Sequence, residues 1–291
     1  MSDNSGPDFV CIGAQKSGTT WLYENMVENP EVWLPPIKEF HYFNRVCIND
    51  KLLGNWSIPH PHGFERYASA VKSFDVDRLR WLYRYYELGM EKNWYLELFS
   101  DKYSHGKITG EMTPGYSTLD ERGVKYASEV LNKDVQIIFI VRNPVIRSWS
   151  AAKMLLRGRG ISIGDISTDE MTSLLSSPDI TLCSEYSRII PLWKQHFNNV
   201  HILSYNLLSR SPREFLSQVS GILNIRDSWN EILINKRVWA DNNKTPMPNY
   251  VFQNLNNFYS DEIEKLYSIL DHSEINDWKH ELDLLRNSIH M

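Results

Sequence analysis

The chain has 291 residues, of which 42% are apolar and 23% charged, with a formal net charge of −5. This is a globular composition, long enough to bury a full core. Its longest wholly apolar stretch near the middle, Ile137 to Val141, falls far short of the roughly 18 residues a membrane helix needs. The acidic balance argues against bulk nucleic-acid binding, so any bound anion must be held by a few placed residues. The opening MSDNSGPD carries two Asp and no Lys or Arg, and no apolar run precedes the first strand, so no secretory signal is expected. Cys11, Cys47 and Cys183 lie far apart without CxxC spacing, which suggests neither a disulfide framework nor a zinc cluster. The chain reads as cytoplasmic.

In chain order, Phe9 to Ile12 is a short apolar run that ends in Gly13. A small-residue loop follows, and then WLYENMVENP, a helix stopped before Pro30. An insertion from about Asn44 to Lys107 is rich in aromatics, among them Trp56, Trp81, Tyr83, Tyr85, Tyr86, Trp94 and Tyr95. Leu79 to Met90 within it fits a helix, and the aromatics form either an acceptor-binding wall or hydrophobic core. Val135 to Val141 is β-branched and unalternating, as a parallel strand covered on both faces should be. Pro144 opens a helix to about Leu156, and the Gly- and Ser-rich stretch Gly158 to Pro178 reads as a mobile surface loop. Ser184 to Phe197 is helical by its spacing, Val200 to Tyr205 a strand, and Pro212 opens a helix with Phe215, Val219, Ile222 and Leu223 on one face. Strands alternating with helices at these intervals favour βαβ units and a mainly parallel sheet, the α/β class. One domain over residues 1–291 is expected, with about 1–8 as a flexible N-terminus and about 44–107 as an insertion.

The strand-to-helix turn reads GAQKSGTTWL. Such a loop aims backbone N–H groups and a helix N-terminus at one anion, and Lys16 adds a mobile positive charge. It suits a phosphate or sulfate. A GxxxxGK[ST] nucleotide loop places its lysine after the second glycine, whereas Lys16 precedes Gly18. The strand IIFIV then ends in Arg142, where a P-loop hydrolase commonly places a metal-holding Asp. The continuation RNPVIRSWS puts Asn143, Arg147 and Ser150 on one helical face with Arg142 at its mouth. Two guanidinium groups and a hydroxyl would make a second anion site there. Alternatively, Arg147 is a salt-bridged residue and Ser150 a packing residue.

Together, GAQKSGTTWL and RNPVIRSWS resemble the paired motifs of the sulfotransferases that use 3'-phosphoadenosine 5'-phosphosulfate. The resemblance implies a three-layer, P-loop-like fold with a central parallel sheet flanked by helices, and an acceptor-side insertion. It implies that Gly13, Lys16, Ser17, Gly18, Thr19, Thr20 and Trp21 bind the donor, with the 5'-phosphosulfate on the loop, and that Arg142 and Ser150 hold its 3'-phosphate. Adenosine 3',5'-bisphosphate would leave, and no metal is required. After Pro35 and Pro36, KEFHYF is similar to the KExHFF segment of glycan sulfotransferases and their bacterial relatives. This implies Glu39 as general base and His41 beside it, orienting the acceptor or sharing the proton. An extended backbone would put Glu39 and His41 on one side and Lys38 and Phe40 on the other.

The stretch GEMTPGYS resembles GEKTPAYF of the same group and implies an acceptor site lined by Glu111, Met112 and Tyr116, with Tyr42; the alternative is a buried structural Glu and a packed Tyr. Met112 stands where glycan-acting members often carry a substrate-contacting lysine, which favours a small acceptor over a polyanionic glycan. A family loop that closes over the nucleotide corresponds to NKRVWADNNKTPMP, implying Lys244 and Arg237 as nucleotide contacts; the alternative is a solvated charge cluster. The expected activity is sulfuryl transfer, with Lys16, Glu39 and His41 catalytic, to a hydroxyl or an amine or guanidine nitrogen of a small specialised metabolite. No nucleic-acid or membrane partner is expected. The rivals are a glycan sulfotransferase, a magnesium- and ATP-dependent small-molecule kinase, and a non-catalytic nucleotide-binding protein. The lysine placement and Arg142 speak against the kinase, and a pure binder has no use for a proton acceptor.

Overall fold

The computed structural model describes residues 6–47, 63–87, 91–236 and 245–289. Five strands, β1 (Phe9–Gly13), β2 (Val32–Trp33), β3 (Ile108–Met112), β4 (Gln136–Val141) and β5 (Val200–Ser204), pair in the order β2-β3-β1-β4-β5. Every pairing is parallel, with Phe9 opposite Gly110 on β3 and Gln136 on β4. All five residues of β1 are buried, as befits the middle strand of a sheet covered on both faces. Alternate side chains feed two cores. Val10, Ile12, Ile137, Phe139 and Val141 face one of them. Phe9, Cys11, Met112, Ile138 and Ile140 face the other, against Trp21, Leu22 and Phe215. This is the α/β arrangement that the strand and helix spacing predicts.

The expected elements recur with small shifts at their described ends: helices at Thr19–Val27, Val76–Glu87, Pro144–Gly158, Tyr186–His196 and Pro212–Leu223; residues 88–90, at the expected end of the second, lie outside the described residues. The stretch Gly158 to Pro178 differs from expectation, because it contains the helix Thr168–Leu175. Ser167 and Glu170 form a reciprocal capping box there, and Met171, Leu174 and Leu175 are buried. The S-x-x-E signature was present in the sequence beneath the Gly and Ser content. Strands β2 and β3 and the long helices Asn249–Leu266 and His272–Ile289 were not read from the sequence. In β3, Gly110 and the buried Glu111 mask the apolar run that marks its neighbours.

The described part of the aromatic insertion is mostly core. Phe40 contacts the rings of Trp81, Tyr85, Tyr95 and Phe99 at centroid distances of 5.5–6.4 Å, and Tyr42 stacks on Tyr95 at 4.5 Å. Of the aromatics read from the sequence, Tyr83 is exposed, and Trp56 lies outside the described residues. Among the described residues no helix is long and apolar enough to cross a membrane.

Candidate functional site

Loops leaving the carboxyl ends of β1, β3 and β4 meet at one edge of the sheet, where open parallel sheets place their ligands. After β1 the chain turns tightly: the Ala14 carbonyl accepts from Ser17 N at 3.2 Å, and Gly18 O accepts from Leu22 N at 3.0 Å to start the helix. Lys16 and Gly18 take left-handed backbone angles, φ 71° and 85°. A Cβ on Gly18 would lie 2.8 Å from Leu208 Cδ1, and one on Gly13 would lie 3.1 Å from the Pro114 carbonyl. Both glycines therefore let the loop close against its neighbours, since Gly bears φ > 0 without a Cβ clash. Ser17 is fully buried, and its Oγ has no hydrogen-bond partner among the described residues. A buried hydroxyl left without a partner is costly, and a ligand oxygen seated on this loop would supply one. Gly18→Val is expected to weaken binding of adenosine 3',5'-bisphosphate by at least about tenfold, ~1.4 kcal/mol, by isothermal calorimetry. Unchanged affinity would contradict the cradle.

Arg142 follows β4 directly. Its guanidinium donates to the Lys16 carbonyl at 2.7 Å and lies 4.2 Å over the Tyr205 ring, so the second motif buttresses the first. Arg142 and Ser150 are each partly exposed and remain available to an anion. Arg147, expected to share that site, has no exposed surface. It donates to Ser184 Oγ, to the Ile180 carbonyl, to Ser148 Oγ at 3.0 Å and to the Gln15 carbonyl at 3.5 Å. The guanidinium is thus occupied within the protein and holds the anion loop from below. Asn143 is likewise buried, capping its helix through Val145 N at 3.1 Å and donating to the Trp278 carbonyl at 3.2 Å. Ser148 meets Tyr259 at 2.8 Å. Through these two bonds the C-terminal helices brace the turn that carries Arg142.

Across the site, the KEFHYF segment is not an extended strand. Glu39 and His41 have φ of 64° and 55°, a conformation that costs an L-residue roughly 1–2 kcal/mol. Burial of Phe40 among the rings of the insertion anchors it. The turn brings Lys38, expected on the opposite side, onto Glu39: Nζ lies 2.7 Å from Oε1 and also 3.2 Å from Thr20 Oγ1. His41 Nε2 lies 3.7 Å from Glu39 Oε2. On its other side Nδ1 meets Asn44 Oδ1 at 3.2 Å, and Asn44 Nδ2 donates to the Gly115 carbonyl at 2.9 Å. That makes Oδ1 the acceptor and Nδ1 the donor. Burial alone would raise the Glu39 carboxyl, but the His41 contact and the Lys38 charge outweigh it and hold it down to about 2.

The acceptor contacts expected at Tyr42, Glu111, Met112 and Tyr116 are corrected by burial: none is more than 2% exposed. Glu111 accepts from Tyr95 OH, from Tyr116 OH at 2.6 Å and from Thr113 Oγ1 at 2.8 Å. Burial raises its carboxyl, and these hydroxyls offset part of that rise. Tyr116 OH accepts from Tyr42 N at 3.0 Å, and Tyr42 OH pairs with Tyr126 OH at 3.1 Å. This network ties β3 and its following turn to the insertion and presents no surface to an acceptor, while Met112 packs in the core on the other sheet face. Trp21, expected at the nucleotide, also packs there, edge-on to Phe215 at 6.2 Å. Arg237 and Lys244 lie outside the described residues. Lys38 and Tyr205 are the site residues that sequence reasoning missed; the neighbouring Glu39 was a signal for the first, and nothing local signals the second.

A family model described as "Sulfotransferase domain" matches residues 6–289. No curated protein gives a significant match. Among solved structures, a sulfotransferase from Alicyclobacillus acidocaldarius superposes with a TM-score of 0.61 at 17% identity, covering 94% of this chain and 98% of its own. The sulfotransferase domain from the olefin synthase of Synechococcus PCC 7002 gives 0.56 at 15% identity, covering 92% and 97%. The sulfotransferase domain from the curacin biosynthetic pathway gives 0.52 at 14%, covering 80% and 79%. At these identities the structural likeness speaks to the fold, whereas the family match spans nearly the whole chain. The chain belongs to the sulfotransferase domain family and is a transferase of that type.

Proposed function

We propose that the protein transfers a sulfuryl group from 3'-phosphoadenosine 5'-phosphosulfate to a small-molecule hydroxyl or an amine or guanidine nitrogen, with Glu39 as proton acceptor. The observation that carries this reading is the juxtaposition of the anion loop and the carboxylate, joined through Lys38 between Thr20 and Glu39. The donor fits the residues present: an unpartnered buried Ser17 Oγ, glycines whose Cβ positions are filled by neighbours, and Arg142 with Ser150 for a second anionic group. The bound donor supplies an electrophilic sulfur on a phosphate leaving group. Glu39 takes the proton as the acceptor's O–H or N–H bond breaks, and that electron pair forms the bond to sulfur. The sulfur–oxygen bond to the 5'-phosphate breaks with its electrons on the phosphate. Lys16 and the Gly18 to Thr20 backbone counter the developing charge, a contribution of about 2.7–4 kcal/mol per donor in comparable sites.

A small, specialised acceptor agrees with two structural relatives, one from a curacin pathway and one from an olefin synthase. A cytoplasmic setting agrees with three buried cysteine thiols, none of them in a disulfide. The test is a thermal-shift titration with adenosine 3',5'-bisphosphate against ADP and ATP, with and without magnesium. The 3',5'-bisphosphate at 100 times its dissociation constant should add about 2.7 kcal/mol, without metal. Preference for magnesium ATP would replace this reading with the kinase. Transfer to oligosaccharides and to no small acceptor would replace it with the glycan enzyme.

A further inference from the structure

Glu39 is placed to accept a proton, yet it lies between two partners. His41 Nε2 sits 3.7 Å from Oε2 and Lys38 Nζ sits 2.7 Å from Oε1; against the effect of burial, the His41 contact and then the Lys38 charge hold the carboxyl down to about 2. A general base works best when its proton affinity lies near the operating pH, so a carboxylate clamped in this way is a poor one. The clamp has a second end. Lys38 also donates to Thr20 Oγ1 at 3.2 Å, in the first turn of the helix that leaves the anion loop. Its side chain is 18% exposed and lies over the Tyr23 ring at 6.0 Å. An ammonium on a four-carbon stem is a movable point charge that can exchange anionic partners without a backbone change.

We propose that Lys38 is a positioning residue that couples donor binding to release of the base: without donor its ammonium pairs with Glu39, and with a sulfonate seated beside Thr20 it turns to the sulfonate oxygens and frees Glu39 for the acceptor's proton. This inference rests on the sulfuryl-transfer reading above. It gives the enzyme an order of events, since the carboxylate becomes an effective base only when there is a sulfuryl group to transfer. The other groups that bear on Glu39 do not duplicate this role. His41 is held from its far side by Asn44. The Cys11 thiol on β1 is pushed up to about 12 by burial and stays neutral. Glu111 on β3 bears on His41 and is closed off by its three hydroxyl partners.

The experiment is an infrared difference titration of the Glu39 carboxyl, its band assigned against Glu39→Gln. It is run in wild type, Lys38→Met and Lys38→Arg, each without ligand, with adenosine 3',5'-bisphosphate, and with 3'-phosphoadenosine 5'-phosphosulfate in the absence of acceptor. In wild type the midpoint should stay below pH 4 without ligand and with the bisphosphate, and rise by at least one pH unit with the phosphosulfate. In Lys38→Met it should already be raised without ligand, and the phosphosulfate should move it by less than half the wild-type shift. Lys38→Arg, which keeps the charge, should restore a low midpoint without ligand. Equal midpoints with the two nucleotides in wild type, or a Lys38→Met midpoint equal to that of wild type, would overturn the coupling. If both nucleotides bind and the midpoint does not move, only the role of Lys38 fails. If neither nucleotide raises the melting temperature, the sulfuryl-transfer reading fails and this inference with it.

Discussion

Glu39→Gln should lower turnover by about 10² to 10⁴, the usual contribution of a positioned general base, while the affinity for adenosine 3',5'-bisphosphate stays within a few fold. The substitution keeps the shape of the side chain and an oxygen for Lys38 to donate to, but removes the site that takes the proton. The nucleotide should be little affected because the loop from Gly13 to Thr20 and the Arg142 contact to the Lys16 carbonyl do not involve the carboxylate. Steady-state rates with a responsive acceptor, set beside calorimetric binding of the bisphosphate, make the comparison. A fully active Glu39→Gln enzyme would move the base assignment to His41, whose Nδ1 is held by Asn44 and whose Nε2 faces the same space.

Arg147→Ala should strongly destabilise the fold, through a different cause. It would leave Ser184 Oγ, Ser148 Oγ and the carbonyls of Ile180 and Gln15 short of a donor, in a site with no exposed surface. An unsatisfied buried polar group costs about 1–3 kcal/mol. With several affected and a cavity left behind, a loss of about 3–5 kcal/mol is expected. At about 2–4 °C per kcal/mol for large domains, the melting temperature should fall on the order of 10 °C. Arg147→Lys should recover little, because an ammonium cannot reproduce the guanidinium fork. A melting temperature within about 1 °C of wild type, below the shift expected for a single kcal/mol, would show that Arg147 is dispensable to the fold. The same variant should bind nucleotide more weakly, since the Gln15 carbonyl belongs to the anion loop.

Legibility divided along a physical line at both motifs. The strand, glycine turn and helix at Phe9 to Val27 could be read because each part has a local cause: an apolar run, residues tolerant of unusual backbone angles, and a stop before Pro30. The KEFHYF segment shows the limit. Its resemblance to the KExHFF segment implied proton chemistry, but an extended backbone was the default, and two left-handed residues reversed the side on which Lys38 lies. That reversal follows from the burial of Phe40 in rings contributed by residues 81–99, which nothing within the segment announces. The same holds for GEMTPGYS, where a Glu, a Met and a Tyr in a motif look like site residues and the fold encloses all three.

By itself the amino-acid sequence determined that this is an α/β chain with a glycine-rich turn between its first strand and helix, a basic residue after the β4 strand, and a Glu and a His two residues apart. These depend on contacts within a few residues, where backbone sterics and side-chain period act directly. The tertiary structure decided which charged groups remain open to a ligand. Arg147 spends its guanidinium on groups 132, 37 and 33 residues away, and Glu111 spends its carboxylate on a hydroxyl 16 residues away as well as on nearer ones. Lys38 gains Thr20, 18 residues away, as its partner. Whether a charge is buried and satisfied or left facing a site depends on such distant neighbours, because desolvation and hydrogen bonding are settled only when the chain has closed around the group.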